Sequence, residues 1–270
     1  MQIQHLFAAT LVAAVPTVAS AATVSSPFLE TFDDATTDVD FAFNDFSTSA
    51  SGTGSQGTGP GWTIQGGQAI FYDNSNFGDV GTADVILSDA FAPERVSFST
   101  SADFNVFAIN FTNTELGVFA YAQGPTDFSE NFVGLYASID QLGDGGTGGD
   151  SEFKLGFGAD GSTSTLLTSS VFDLTDGTPD FTITLSGVFL PGGDVDVTAT
   201  LLQDGDAPIV LNTLFDGSLL AGSRFGVRTN PGFNTLEVGV DNLAAAVVIP
   251  EPASAAALGL IGLIGLRRRR

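Results

Sequence analysis

Carboxylates are the reactive side chains that this sequence supplies in quantity. Its single histidine, His5, lies near the N-terminus, and it has no cysteine. The body of the chain, residues 23–248, therefore offers neither imidazole nor thiol. That excludes Ser-His-Asp and Cys-His nucleophilic catalysis, a histidine general base, and the usual zinc and copper sites, which need nitrogen or sulfur ligands. Acid–base work by paired Asp and Glu remains open, as do oxygen-ligand metals such as calcium. The body carries four basic residues, Arg95, Lys154, Arg224 and Arg228, against thirty acidic ones, a net charge of −26. Such a surface repels nucleic acid and anionic lipid and attracts divalent cations. It is equally what a plain solvated acidic surface looks like. No nucleic-acid partner is expected.

Three groups of residues are candidates for binding. Glu30 and Asp33 near the start of the body, with Asp241 near its end, are hard oxygen ligands that suit a structural calcium ion if the two ends meet. The competing reading is that Asp33-Asp34 and Asp241-Asn242 bound strands as Asx turns. Trp62 and Tyr72, with Tyr121 and Tyr136, are amphipathic aromatics whose faces can stack on sugar rings while Asp73, Asn74 and Asn76 take hydroxyls. Against this, a lone Trp in a body of this size reads as a core residue, as do the Phe residues. Gly145-Gly146-Thr147-Gly148-Gly149-Asp150 fits one copy of a calcium-binding nonapeptide, a repeat that works when stacked.

The elements that must position these groups are strands. Phe181, Ile183 and Leu185 alternate with Thr182, Thr184 and Ser186. Val195, Val197, Ala199 and Leu201 alternate with Asp196, Thr198 and Thr200. Phe153, Leu155 and Phe157, and Leu236, Val238 and Val240, follow the same period of two, which places one face on a core and one in water. Asn105–Phe111 and Phe132–Ile139 are apolar on both faces and are expected centrally. Turn chemistry at Asp160-Gly161, Pro191-Gly192-Gly193-Asp194, Asp204-Gly205-Asp206 and Asp216-Gly217 separates the runs. About a dozen or more short strands at this spacing predict an all-β, two-sheet antiparallel jelly-roll sandwich. Residues 47–61 and 143–150 are Gly/Ser/Thr-rich and read as loops.

Several short stretches carry a resemblance. Glu30-Thr31-Phe32-Asp33-Asp34 opens the body and Gly61-Trp62 follows a loop. Phe181-Thr182-Ile183-Thr184 reads as a strand ending in a turn. Gly222-Ser223-Arg224-Phe225-Gly226-Val227-Arg228 precedes a last strand with Val240-Asp241-Asn242-Leu243. This order is similar to the concanavalin A-like, laminin-G-like jelly rolls. The resemblance implies that first and last strands are neighbours, so that Glu30 or Asp33 approaches Asp241. Glucanases of this fold carry a Glu-x-Asp-x-x-Glu strand, and none of Glu30, Glu94, Glu115, Glu130, Glu152 and Glu237 begins one. The expectation is a non-enzymatic module for glycan binding, adhesion or matrix structure, with no cofactor beyond structural calcium. The alternative is a carbohydrate-active hydrolase or lyase using Asp and Glu.

The two ends carry addresses. Residues 1–22 read as a secretory signal peptide, with an apolar core from Leu6 to Val18 and small-x-small cleavage sites at Ala19-Ser20-Ala21 and Ser20-Ala21-Ala22. Residues 249–270 hold Pro250-Glu251-Pro252, a 14-residue uncharged apolar run from Ala253 to Leu266, and Arg267-Arg268-Arg269-Arg270. The arginines stay cytoplasmic by the positive-inside rule. This ordered tail resembles the PEP-CTERM sorting signal of exported bacterial proteins. The resemblance implies a hydrophobic sorting helix, Sec-type export, signal peptidase, and an exosortase that acts near Pro250-Glu251-Pro252. It also implies a transient inner-membrane stage, then the surface or extracellular polysaccharide of a Gram-negative bacterium.

Overall fold

The computed structural model describes residues 22–34, 37–45, 50–53, 61–73, 80–88, 97–109, 114–123, 133–140, 150–158, 165–173, 180–203, 205–230 and 236–248. The leader (Ala22 apart), the 249–270 tail and Gly145–Gly149 lie outside these residues. So do Asn74 and Asn76. No helix among the described residues is long and apolar enough to cross a membrane.

The alternating runs form strands, seventeen among the described residues. In chain order they are β1 (Ala22–Val24), β2 (Phe28–Glu30), β3 (Asp40–Asp45), β4 (Ala50–Thr53), β5 (Gly61–Gln65), β6 (Gln68–Asp73), β7 (Val80–Leu87), β8 (Ser97–Ile109) and β9 (Glu115–Gln123). Then follow β10 (Val133–Asp140), β11 (Asp150–Phe157), β12 (Thr165–Asp173), β13 (Asp180–Phe189), β14 (Asp194–Gln203), β15 (Ile209–Asp216), β16 (Arg224–Asn230) and β17 (Leu236–Val248). They make two sheets. The first runs β12-β11-β10-β9-β16-β7-β3-β4, with β1 added in parallel beside β7; the second runs β15-β14-β13-β8-β17-β6-β5, with β2 added beside β17. Apart from β1, the pairings are antiparallel.

The expected alternation decides which faces meet. Phe181, Ile183, Leu185, Val195, Val197, Ala199, Leu201, Phe153, Leu155, Val238 and Val240 are all buried in one core between the sheets. Burying side chains of this size stabilises by about 1.5–3 kcal/mol each before the entropy of ordering them is subtracted. The central expectation holds for β8, the middle strand of its sheet, and β10 is also an interior strand.

The core reading of Trp62 replaces its sugar-binding one, and four other expectations are corrected. Trp62 is 2% exposed and sits in the core between Phe41 and Phe71, at ring-centroid distances of 5.4 and 5.2 Å. It is the second residue of β5 and its indole is turned inward, so no sugar can stack on it. Tyr121 and Tyr136 are buried as well. Tyr121 has a positive φ of 54°, beside a register break between β9 and β10, and its ring points inward against Phe98 and Phe225. Phe181–Thr184 is the interior of β13 rather than a turn, because its pairing with β8 and β14 continues unbroken. Within the stretch read as a loop, Ala50–Thr53 is a strand that pairs with β3. Finally, Phe107 is 43% exposed, so the core reading of the Phe residues does not extend to every one of them.

Candidate functional site

One row of side chains crosses the outer face of the second sheet. Leu202 of β14 is opposite Thr182 of β13, Thr182 is opposite Asp103 of β8, and Asp103 is opposite Asp241 of β17. Val240 pairs with Ala69, so Gln68 of β6 comes next in the row. Two residues along, Asp180 is opposite Asn105 and Asn105 is opposite Gly239. Together with Gln203, Gly205 and Asp206 from the β14–β15 turn, these groups line an open cleft of about 390 Å³. Phe104 and Phe181 contribute to its floor. Their rings stack at 5.3 Å from the core side.

A β-bulge builds the centre of the cleft. Between Asp241 and Ala244 the register of β17 against β8 slips, and Asn242 takes a φ of 49°. Asn is one of the few side chains that enter this left-handed region readily. The bulge re-aims the Asn242 amide, as such irregularities do beside functional sites. Its Nδ2 donates to Asp103 Oδ2 at 2.8 Å, and Thr182 Oγ1 donates to Asp103 Oδ1 at 2.6 Å. Both oxygens of Asp103 are thus fixed. Asp241 Oδ1 accepts from the Asn242 backbone N–H at 2.6 Å. Partial burial raises the Asp241 pKa; that hydrogen bond opposes the rise, and Asp103 and Asp33 add to it.

The strand that ends at Glu30 does meet the last one: β2 pairs with β17, with Glu30 opposite Leu243, whereas β1 pairs with β7 in the other sheet. This juxtaposition brings Asp33 within electrostatic reach of Asp241. Asp33 Oδ1 lies against the hairpin glycine Gly67, 3.1 Å from where a Cβ would stand. Glu30 is not part of the group. Its Oε1 accepts from Phe32 N–H and its Oε2 from Thr37 Oγ1, each at 2.9 Å, so it braces the loop that inserts Phe32 into the core. Among the described residues no three acidic side chains converge to hold a metal ion. Tyr72 lies beside Gly61 and Glu237 on the same sheet, half-buried and outside the cleft.

Asp103, Thr182, Asn105 and Gln68 went unread in the sequence. The signal was there for two of them: Ser97, Ser99, Ser101, Asp103 and Asn105 form the polar half of an alternating strand. What the alternation lacks is the register that sets Asp103 beside Asp241.

The outer face of the first sheet is electrostatically different. Lys154, Arg224 and Arg228, the basic side chains among the described residues, lie there, each against carboxylates. Arg224 Nη1 reaches Asp84 Oδ2 at 2.8 Å, Arg228 Nη1 reaches Glu115 Oε2 at 3.5 Å, and Lys154 contacts Asp140 and Glu152. Asp84 is fully buried, opposite Asp40 across β3 and β7. Burial pushes its pKa up to about 7 despite the Arg224 guanidinium, with Asp40 adding to the rise.

No protein-family model matches the chain, and no curated protein matches it in sequence. Solved structures match in fold. The CBM2 module of Lactobacillus casei BL23 phage J-1 evolved Dit is 13% identical with a TM-score of 0.55, over 83% of this chain and 96% of that one. The Lotus tetragonolobus seed lectin is 10% identical with a TM-score of 0.51, over 84% and 100%. Arcelin-5, a lectin-like defense protein from Phaseolus vulgaris, is 11% identical with a TM-score of 0.51, over 83% and 98%. The body is a two-sheet jelly-roll sandwich, similar in fold to these proteins. At these identities the likeness is one of fold.

Proposed function

We propose that this chain is an exported glycan-binding protein whose ligand lies in the Asp103–Asp241 cleft. The observation that carries the reading is the chemistry of that cleft. Carboxylates, amides and a hydroxyl converge in an open groove, and no basic side chain lines it. Sugar hydroxyls are neutral donors, and a fixed carboxylate accepts them through short, charge-assisted bonds. An anionic polymer meets repulsion from four aspartates, Asp103, Asp180, Asp206 and Asp241. The expected ligand class is therefore an uncharged, hydroxyl-rich saccharide. The lectin-type fold supports the reading by analogy. The leader and the Pro250-Glu251-Pro252 tail support delivery through an exosortase route to the cell surface or the surrounding polysaccharide.

The test is retention of the protein on neutral and acidic polysaccharides, with calcium and with a chelator, while released sugar is measured. Retention on a neutral glycan, lowered at least tenfold by Asp103→Asn through loss of about 1.5–3 kcal/mol of charged hydrogen bonding, is the expected result. No retention on any polysaccharide overturns the reading. Calcium-dependent retention brings Asp33 and Asp241 forward as ligands.

A second reading has its own observation. Asp103 and Asp241 stand directly opposite each other, and cross-strand neighbours of this kind have Cβ atoms roughly 5 Å apart. From such positions two carboxyl groups can reach the roughly 5–5.5 Å separation that retaining glycosidases use. Release of sugar that Asp241→Asn abolishes would establish that reading.

A further inference from the structure

We propose that the chain pairs with a second copy of itself along the free edge of β15, in an antiparallel register centred on Asn212. The second sheet begins with β15, and none of the described residues pairs with its outer edge. An unpaired edge is a row of open N–H and C=O groups, which proteins usually blunt with lysine, proline, bulges or very short strands. β15 has none of these. Its eight residues, Ile209-Val210-Leu211-Asn212-Thr213-Leu214-Phe215-Asp216, pair with β14 without a register break. The other ends are protected. β4 has four residues and β5 has five, and the register of β12 is interrupted where it meets Leu155 and Gly156.

The pattern on β15 is self-complementary. Leu211 and Phe215 are buried in the core, whereas Val210 and Leu214 are 57% and 64% exposed on the outer face, with Asn212 between them. Two copies related by a twofold axis perpendicular to the sheet keep outer residues opposite outer residues. With the axis at Asn212, Val210 faces Leu214 of the second copy, Leu214 faces Val210, and Asn212 faces itself. Each exposed apolar side chain thereby covers its counterpart.

Charge does not oppose pairing at this edge. A body at −26 repels its own copy, yet β15 carries no charged side chain from Ile209 to Phe215. Its only acid, Asp216, falls opposite Pro208 in this register. The nearest carboxylate of β14, Asp196, accepts a hydrogen bond from Asn212 Nδ2 at 2.8 Å, which holds it within its own sheet. Because the axis is perpendicular to the sheet, the outer faces of both copies look the same way.

The absence of cysteine makes the register directly testable in the purified full chain, with mild detergent present. Sedimentation is expected to give twice the monomer mass. Asn212→Lys, which sets two ammonium groups against each other on the axis, is expected to weaken association at least tenfold while the chain keeps its β-sheet circular dichroism spectrum. Thr184→Lys, on the same face of β13, is the control and leaves the dimer intact. On mild oxidation Asn212→Cys links two chains, since only a residue on the axis meets itself; Val210→Cys alone does not, and Val210→Cys with Leu214→Cys does. A monomer at every concentration overturns the proposal, and so does cross-linking of Val210→Cys as efficient as that of Asn212→Cys.

Discussion

Asp84 shows how one residue sets a pH dependence for the whole fold. Its carboxyl is fully buried between β3 and β16, and its pKa is pushed up to about 7 from an ordinary value of 3.8. The folded state therefore holds a proton that the unfolded state releases between those two values. Stability is greatest below the unfolded pKa and falls as pH rises towards 7, then levels off. The loss from this one group is on the order of 4 kcal/mol at most. Thermal melts from pH 4.5 to 8 are expected to show the wild-type midpoint falling relative to Asp84→Asn, which has no proton to lose at that site. Parallel curves for the two proteins would show that Arg224 compensates the charge completely. Trp62 gives the opposite lesson. With its ring in the core, Trp62→Phe is expected to lower stability by about 1–3 kcal/mol and to leave glycan retention unchanged in the folded fraction. A selective loss of retention would return Trp62 to the binding surface.

At the scale of the element, the bulge in β17 joins fold and site. Asn242 both accepts the left-handed backbone and carries the amide that fixes Asp103. Two substitutions separate these roles. Asn242→Gly keeps the backbone and removes only the amide, so retention is expected to drop with little change in melting temperature. Asn242→Val adds backbone strain of about 1–2 kcal/mol and is expected to lose both. Equal melting temperatures for the two variants would mean that the bulge relaxes. The same element marks how far the sequence could be read. Period-two alternation was enough for the strands, because Phe181-Thr182-Ile183-Thr184-Leu185 has one consistent way to lie on a core. Asp241 was legible as a candidate because it lies on the last strand, which the resemblance sets beside the start of the body. Asp103 was not, since its partnership spans 138 positions and depends on which strands become neighbours. Local pattern carries no register between distant strands. Trp62 stood between a sugar-binding and a core reading for a related reason: composition reports an amphipathic ring, whereas its direction depends on the register of β5.

For the whole molecule, charge and symmetry meet. A body this acidic resists self-association, and the uncharged edge of β15 is a place where the proposed pairing meets no charge. In the proposed dimer both Asp103–Asp241 clefts open on one side of a continuous sheet, an arrangement suited to a polymer or a surface rather than to a free small sugar. Linking two sites in this way multiplies apparent affinity by roughly 10²–10⁴ when both are engaged, with no new contact made. Asn212→Lys is therefore expected to bind a short oligosaccharide as the wild type does and to lose most of its retention on the immobilised polysaccharide. Asp103→Asn is expected to lose both. Titration calorimetry with the oligosaccharide and retention on the polymer, measured on both variants, separate the two ideas. Equal retention by wild type and Asn212→Lys would mean that each cleft acts alone, whatever the state of β15.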